Sequence, residues 1–569
     1  MTKTEGLRGN VTQYGDSEFA FYLRKAFIKA MGYSDDALDR PVVGIVDTGS
    51  GYNACHRNMP DLIEAASRGV MLAGAIPIPF PVISLQESFA NPTSMYLRNL
   101  MAMDVEEMIR AQPMDAVILI GGCDKTVPAL LMGAASANTP AICLVTGPMS
   151  AGSWRGERVG ACTDCRRFWG MHRGGELDSD QINEVSDNLA PTVGTCGVMG
   201  TASTMALAVE AMGMMLPGGA CAPAVSSERR RQAELTGTQA VALARAGTTP
   251  DKIMTRTAFE NAFRVVMASG GSTNALIHLT AVAGRRGIDV SLETIDRLGR
   301  ETPVLVDLKP AGQGYMEDLH KAGGLTTILR EIGDMMHLDC PTVTGQSLGE
   351  NITGQPEGWA QDVVRGRDVP LAAADGLIVL RGNLAPGGAV LKAAAASEKL
   401  LKHRGRAVVF DGLADMAARL DDPDLDVTED DVLVLKNAGP LGGPGMPEAG
   451  YIPIPRKLAQ QGVRDMVRIS DARMSGTAFG SIVLHITPEA AAGGPLQAVR
   501  SGDTIVLDAA ARRIDVDLSE AELAERMQDF APQDNSGLRG YARLYRDSVL
   551  QADKGCDFDF ARPPMQEVL

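Results

Sequence analysis

The first two thirds of the chain alternate short β-branched runs with longer stretches of helical periodicity, and this alternation constrains the fold more than any other feature. Pro41–Val46, Asp115–Ile120 and Ala141–Thr146 read as buried strands, with helical patterns over Met59–Ala73, Met95–Ala111, Val127–Ala137, Ser203–Met215 and Thr257–Met267. Strands and helices in this order form parallel βαβ units, with any ligand expected outside the carboxyl ends of the strands. From about Gly376 the rhythm changes to closely spaced strands with Gly and Pro turns: Leu377–Leu380, Ala407–Phe410, Asp431–Leu435, Met466–Ser470, Ile482–Ile486 and Thr504–Leu507. The expected fold class is therefore α/β, with an N-terminal layered α/β domain built on parallel sheet over residues 1–370. A C-terminal β-barrel-like domain follows over residues 371–569, the change falling near Arg365–Pro370. The tail from Phe558 to Leu569, with Pro563 and Pro564, reads as an extended arm.

Acidic residues outnumber basic ones by 70 to 54, a net charge of −16, which argues against a nucleic-acid or anionic-membrane partner. Met1–Gly6 lacks the charged and apolar regions of a signal peptide, and the most apolar stretch, Met205–Val225, contains Glu210 and Pro217. A soluble, cytoplasmic protein acting on a small molecule is expected. On such a chain nine cysteines point to thiol or metal chemistry ahead of a disulfide framework.

Three cysteines share a setting that the others lack. Cys55 follows a strand and a glycine-containing turn, Cys123 ends a strand in Gly121-Gly-Cys-Asp-Lys125, and Cys196 lies in Gly194-Thr-Cys-Gly197. Glycine permits the close backbone approach that a bulky inorganic group needs, and adjacent helix starts favour thiolates. Buried free cysteines are also common small hydrophobes, and spacings of about 70 residues match no local zinc or ferredoxin pattern, so both readings stand at this point. Cys162-Thr-Asp-Cys165 has CxxC spacing, yet no second CxxC completes a four-ligand site, and the pair is not read as a dedicated metal or redox centre. Cys143 lies inside an apolar strand and reads as core.

Oxygen donors surround the same turns. Asp124 and Lys125 follow Cys123, Glu87 follows a proline-rich strand, and Glu448 ends the loop Gly439–Glu448. Carboxylates on rigid turns suit a hard divalent cation, although surface acids in loops are usually only solvated. In Arg473-Met-Ser-Gly-Thr477 the hydroxyls of Ser475 and Thr477 flank a glycine and could face a ligand, or could simply shape a turn. Ser269–Ala275 reads as a helix start capped by Ser272, Thr273 or Asn274, and His278 one turn later as a packing histidine.

Taken together, these segments resemble the dihydroxy-acid and sugar-acid dehydratase family. Gly121-Gly-Cys-Asp-Lys-Thr126, Thr146-Gly-Pro-Met149, Gly200-Thr-Ala-Ser-Thr-Met205, Gly270-Gly-Ser-Thr-Asn274, Gly382-Asn-Leu-Ala-Pro386, Gly442-Gly-Pro-Gly-Met-Pro-Glu448 and Arg473–Thr477 follow in the family's order across most of the chain. The resemblance implies that Cys55, Cys123 and Cys196 hold an iron–sulfur cluster, of the [2Fe–2S] type in the sugar-acid branch, leaving one iron position open to a substrate oxygen. It implies a Mg²⁺ site of Glu87, Asp124, Lys125 and Glu448, with the lysine carbamylated, and Ser475 as catalytic base beside Thr477 at the substrate. Homodimers or homotetramers are implied too.

The chain departs from the branch that dehydrates 2,3-dihydroxy-3-methylbutanoate for branched-chain amino-acid synthesis. That branch has proline before and asparagine after the first cluster cysteine, whereas this sequence reads Ala54-Cys55-His56. The cation-rich stretch Arg155–Trp169 also suits a polyhydroxylated anionic substrate. The expected activity is thus dehydration of a pentonate or hexonate to its 2-keto-3-deoxy acid, with the branched dihydroxy acid as the alternative. A non-catalytic sugar-acid sensor would have no need of every cluster, metal and base position that this chain retains.

Overall fold

Four parallel strands carry the first half of the molecule. In the computed structural model, which describes residues 5–569, helix α1 (Ser17–Ala30) precedes β1 (Val42–Asp47), β2 (Ile76–Pro81), β3 (Ala116–Gly121) and β4 (Ala141–Val145). They lie in the order β2-β1-β3-β4. β3 and β4 are buried at every residue, which accounts for their unbroken Val, Ile and Leu content. Pro77, Pro79 and Pro81 remove every second N–H from β2, and a strand so depleted of donors belongs at a sheet edge, where it is found. The crossovers run through α2 (Met59–Leu72), α3 (Ser94–Ala111) and α4 (Thr126–Ala137), each within two residues of its predicted span.

The alternation stops at Val145, sooner than the sequence rhythm suggests. After a short hairpin of β5 (Gly152–Trp154) and β6 (Glu157–Val159), the chain to residue 353 is mainly helical, including α5 (Thr163–Arg173), α6 (Ser179–Asn188), α7 (Thr201–Ala211) and α8 (Ser227–Ala246). Every residue of α7, and of the helix Thr273–Arg285, is buried. A helix buried all round lacks the polar face that distinguishes it from strand-bearing sequence, so its surroundings are hard to place from periodicity.

After the two-residue strand β7 (Ile288–Asp289) come β8 (Ile378–Leu380), β9 (Gly388–Leu391), β10 (Lys402–Asp411), β11 (Val432–Lys436), β12 (Arg468–Ser470), β13 (Ile482–Thr487), β14 (Thr504–Asp508) and β15 (Arg513–Val516). The sheet order is β15-β14-β10-β11-β12-β13-β9-β8, with β10 to β13 parallel and the outer pairings antiparallel. The four-residue strands β9 and β15 escaped the sequence reading. The two edges meet where the Arg381 N–H donates to Arg512 O and the Ile514 N–H donates to Arg381 O, both at 2.9 Å, so the sheet almost closes into a barrel. Leu391, Val409, Val434, Ile469, Val483, Ile505 and Ile514 fill its core. No helix of the described residues is long and apolar enough to cross a membrane.

The expected extended tail is pinned instead to its own chain. β16 (Glu567–Val568) pairs in parallel with β7, and Leu569 is buried. Just upstream, Arg98 of α3 donates to the carbonyls of Gly555 (2.8 Å) and Cys556 (3.0 Å). Arg285 grips Asp557 through Nε (2.7 Å) and Nη2 (2.9 Å), both side chains being fully buried. Removing one partner of a buried ion pair strands the other. Asp557→Ala is therefore expected to cost about 3–5 kcal/mol, read as a lowered urea midpoint.

Candidate active site

The polar residues singled out above come from two sheets that present the carboxyl ends of parallel strands to one another. Cys55 lies in the turn after β1, Glu87 in the loop after β2, and Cys123, Asp124 and Lys125 in the turn from β3 into α4. From the second sheet, Glu448 follows β11 and Arg473, Ser475 and Thr477 follow β12. The glycine-rich loop that delivers Glu448 rests directly on the start of α3: Gly445 has φ +86, and a Cβ there would come within 2.5 Å of Tyr96 backbone and Thr93.

Lys125 is the centre of the arrangement. Its ammonium is completely buried and lies 2.6 Å from Asp124, 3.2 Å from Glu87 and 3.2 Å from Glu448. Arg473, equally buried, lies 2.5 Å from Glu448 and 3.1 Å from Glu87. Burial alone would raise the Glu87 carboxyl, but Lys125 and Arg473, with hydroxyl donors on Ser94 and Thr93, hold it well below the usual carboxylate range. Burial and Arg473 likewise oppose the charge on Lys125, and Asp124, Glu87 and Glu448 overcome them, keeping the amine above its usual value. One oxygen from each of Glu87, Asp124 and Glu448 lies within 4.8 Å of the others, the only such group of three ligating side chains among the described residues. Three carboxylates converging at this spacing fit a hard divalent cation, and the Lys125 ammonium stands among them where such an ion would.

The thiols adjoin this group. Cys123 Sγ is 3.5 Å from Asp124, and the neighbouring Cys55 thiol is the main cause, ahead of burial, of its being held well above its ordinary range. His56, buried beside Cys55, accepts the backbone N–H of both Gly122 and Cys123 at 2.9 Å through Nε2, while Nδ1 meets Thr48 O at 2.8 Å. One ring thereby ties the first cysteine turn to the second. Burial pulls it down to about 4, against the Thr48 carbonyl and Asp47, so it is neutral at pH 7. Cys196 has a neighbour that sequence reasoning set aside: Cys162 Sγ is 3.5 Å away. The CxxC segment thus adjoins the predicted cluster cysteines, a proximity invisible in the sequence because it arises from the packing of α5 beside the Cys196 turn.

Ser475 and Thr477 share a hydrogen bond of 2.8 Å. Gly476 between them meets the helix start at Ser272, where a Cβ would come within 2.5 Å of the serine hydroxyl, so the turn requires glycine. Ser272 is the helix cap, sharing a hydrogen bond of 2.8 Å with the Thr201 hydroxyl and accepting from Asn274 N–H, and His278 is a buried packing residue whose Nδ1 faces Arg98 at 3.1 Å. Two residues with no assigned sequence role also join the site. Arg473 was visible only as part of a motif, and Lys392 carried no signal at all. Lys392 is fully buried, its amine donating to Gly476 O at 3.4 Å, and burial pulls that amine down to about 7. A cleft of about 790 Å³ opens alongside, lined by Cys165, Arg166, Tyr451 and Phe479; Arg166 lies over the Tyr451 ring and 3.9 Å from Glu448.

The sequence matches the dihydroxy-acid/6-phosphogluconate dehydratase N-terminal family over residues 40–351 and the corresponding C-terminal family over residues 362–556. It is 47% identical to an L-arabonate dehydratase of Azospirillum brasilense, covering 98% of each chain. It is 46% identical to an L-arabinonate dehydratase of Rhizobium leguminosarum, covering 96% of this chain and 95% of the relative. A 6-deoxy-6-sulfo-D-gluconate dehydratase of Pseudomonas putida is 44% identical over 98% of this chain and 97% of its own.

His56 generates a pH prediction. Its folded value of about 4 lies below its unfolded value of 6.5, so the unfolded state takes up the proton first, and the stability held by the neutral ring is lost as pH falls from 6.5 to 4. The loss from this residue is expected to be about 3 kcal/mol. His56→Leu should be less stable at pH 7.5, by about 2–4 kcal/mol for two orphaned N–H donors, and should show a shallower acid dependence in urea titrations across that window.

Proposed function

The chain belongs to the dihydroxy-acid/6-phosphogluconate dehydratase family, and we propose that within it the protein dehydrates a sugar acid, a pentonate or hexonate, to the 2-keto-3-deoxy acid. That it is a dehydratase follows from the family and its named relatives; the substrate class rests on the identity of 44–47% to sugar-acid dehydratases, against 36–38% for relatives named as dihydroxy-acid dehydratases. The observation that carries the chemistry is one turn, Cys123-Asp124-Lys125, that contributes at once to an oxygen-rich cation site and to a group of thiols.

In this reading Glu87, Asp124 and Glu448, with a carbamylated Lys125, hold Mg²⁺, and Cys55, Cys123 and Cys196 hold a [2Fe–2S] cluster. The donor sets fit: carboxylates suit a hard cation, and thiols suit iron. When bound, the cation supplies positive charge that acidifies the C2 hydrogen of a carboxylate substrate, and the cluster supplies Lewis acidity toward the departing C3 hydroxyl. Lys125 as a free ammonium would compete with the ion for the same three oxygens; carbamylation would convert it to a ligand. Arg473 pairs with both Glu87 and Glu448, holding the two carboxylates together at the site. Ser475 is the proposed base for the C2 proton. A serine hydroxyl is weak in that role unaided, and its support here is the Thr477 hydroxyl at 2.8 Å and the Lys392 amine bonded to the next residue's carbonyl. Arg166, at the edge of the cleft, is suited to an anionic, hydroxyl-rich substrate entering there. Loss of the C2 proton and the C3 hydroxyl as water leaves an enol, which becomes the 2-keto acid. Assembly as a homodimer or homotetramer is part of the proposal.

Anaerobically reconstituted enzyme should yield keto acid from members of a panel of pentonates and hexonates; turnover of 2,3-dihydroxy-3-methylbutanoate alone would overturn the substrate class. Ser475→Ala should lower kcat by about 10²–10⁴-fold with KM little changed. Mg²⁺ at one hundred times its Kd should stabilise the protein by about 2.7 kcal/mol in thermal melts, and Glu448→Gln should abolish that gain.

A further inference from the structure

Four thiols, not three, stand beside the carboxylates, and they stand as two pairs. Cys55 and Cys123 are neighbours on turns that His56 ties together. Across the site Cys162 Sγ lies 3.5 Å from Cys196 Sγ. Two thiolates on one tetrahedral metal with bonds of about 2.3 Å lie about 3.8 Å apart, so the second pair already has nearly the spacing of ligands to a single metal. No three cysteine sulfurs among the described residues come within 4.8 Å of one another. That excludes a preformed mononuclear three-thiol site and suits two metals, each with its own pair.

Cys162 is also held as a ligand needs to be. It caps the start of α5, and its neighbour Thr163 donates to Thr477 O at 2.8 Å, locking the segment to the Ser475 turn. Asp164 is fixed in turn by Lys309 at 2.9 Å and by the Tyr315 hydroxyl at 2.8 Å. Cys165, one turn into the helix, donates to the Cys162 carbonyl and lines the open cleft. The Cys162 thiol therefore lies between Cys196 and Cys165, and of the CxxC pair it is Cys165 that lines the cleft.

We propose that Cys162 is a fourth thiolate ligand of the cluster in the substrate-free enzyme, sharing a metal with Cys196 as Cys55 shares one with Cys123. The inference rests on the cluster reading above and extends it, because the position left open by three cysteines is then closed by a fourth until substrate arrives. Ligation converts the Cys162 thiol to a thiolate, releases one proton to solvent and changes no oxidation state.

The test is differential alkylation of the full chain. Protein loaded anaerobically with iron and sulfide, and the same protein stripped of iron, are treated with iodoacetamide, and each cysteine is quantified by peptide mass spectrometry. Loading should slow labelling of Cys162 at least tenfold, along with Cys55, Cys123 and Cys196, while Cys165 labels equally in both; adding a sugar acid that the enzyme turns over should restore labelling of Cys162 alone. Equal labelling of Cys162 with and without the cluster would overturn the proposal, whereas failure of the wild type to take up iron would overturn the cluster reading itself. As a second measurement, Cys162→Ser should retain its iron but shift the visible spectrum of the substrate-free protein. A spectrum superimposable on the wild type would count against ligation.

Discussion

A lysine with no access to water has to be met by negative charge, and the way Lys125 is met organises the molecule. An unpaired buried ammonium would lose its proton or unfold the region around it. Here Asp124 comes from the same turn, Glu87 from the loop after the edge strand and Glu448 from the other sheet. Arg473, buried from the second side, needs the same two glutamates. Each cation has partners in its own half and takes one more from the other, Lys125 from Glu448 and Arg473 from Glu87, so these crossed pairs tie the two sheets face to face, and the glycine-rich loop after β11 must approach α3 closely enough to deliver Glu448.

The same constraint explains why the site holds opposed chemistries in so small a space. Parallel strands expose the turns at their carboxyl ends, and both sheets aim such turns inward. Hard oxygen donors and soft thiols then occupy adjacent residues of one turn, with His56 bracing it from below through two backbone N–H groups. A neutral ring does this without adding charge to an already crowded set.

Much of this was legible in the sequence. The buried strands of the first sheet, the helices between them and the change of rhythm near residue 376 all follow from periodicity, and Cys123, Asp124 and Lys125 announce themselves at a strand end followed by a helix. What periodicity cannot carry is proximity between distant segments. Cys162 was set aside because the local pattern lacked a second CxxC, yet its partner is Cys196, brought alongside by the packing of α5. Lys392 is a lone basic residue after a four-residue strand, and only its burial against Gly476 O marks it. The end of the parallel alternation at Val145 was missed for a related reason: helices buried on every side look apolar throughout, and the sequence reading had no polar face to orient them.

Lys125 and Glu448 are separated by 323 residues, and the segment that locks the C-terminal region onto α3 and the helix Thr273–Arg285 lies at 555–557. Synthesis proceeds from the amino terminus, so the emerging first half carries its lysine and its cysteine turns with neither Glu448 nor Arg473 to meet them. The full set of oxygen donors exists only once nearly the entire polypeptide has left the ribosome. Completion of this carboxylate group is thereby deferred until residue 448 has been made, and a product truncated before it, which keeps every cysteine of the first half, never completes the group.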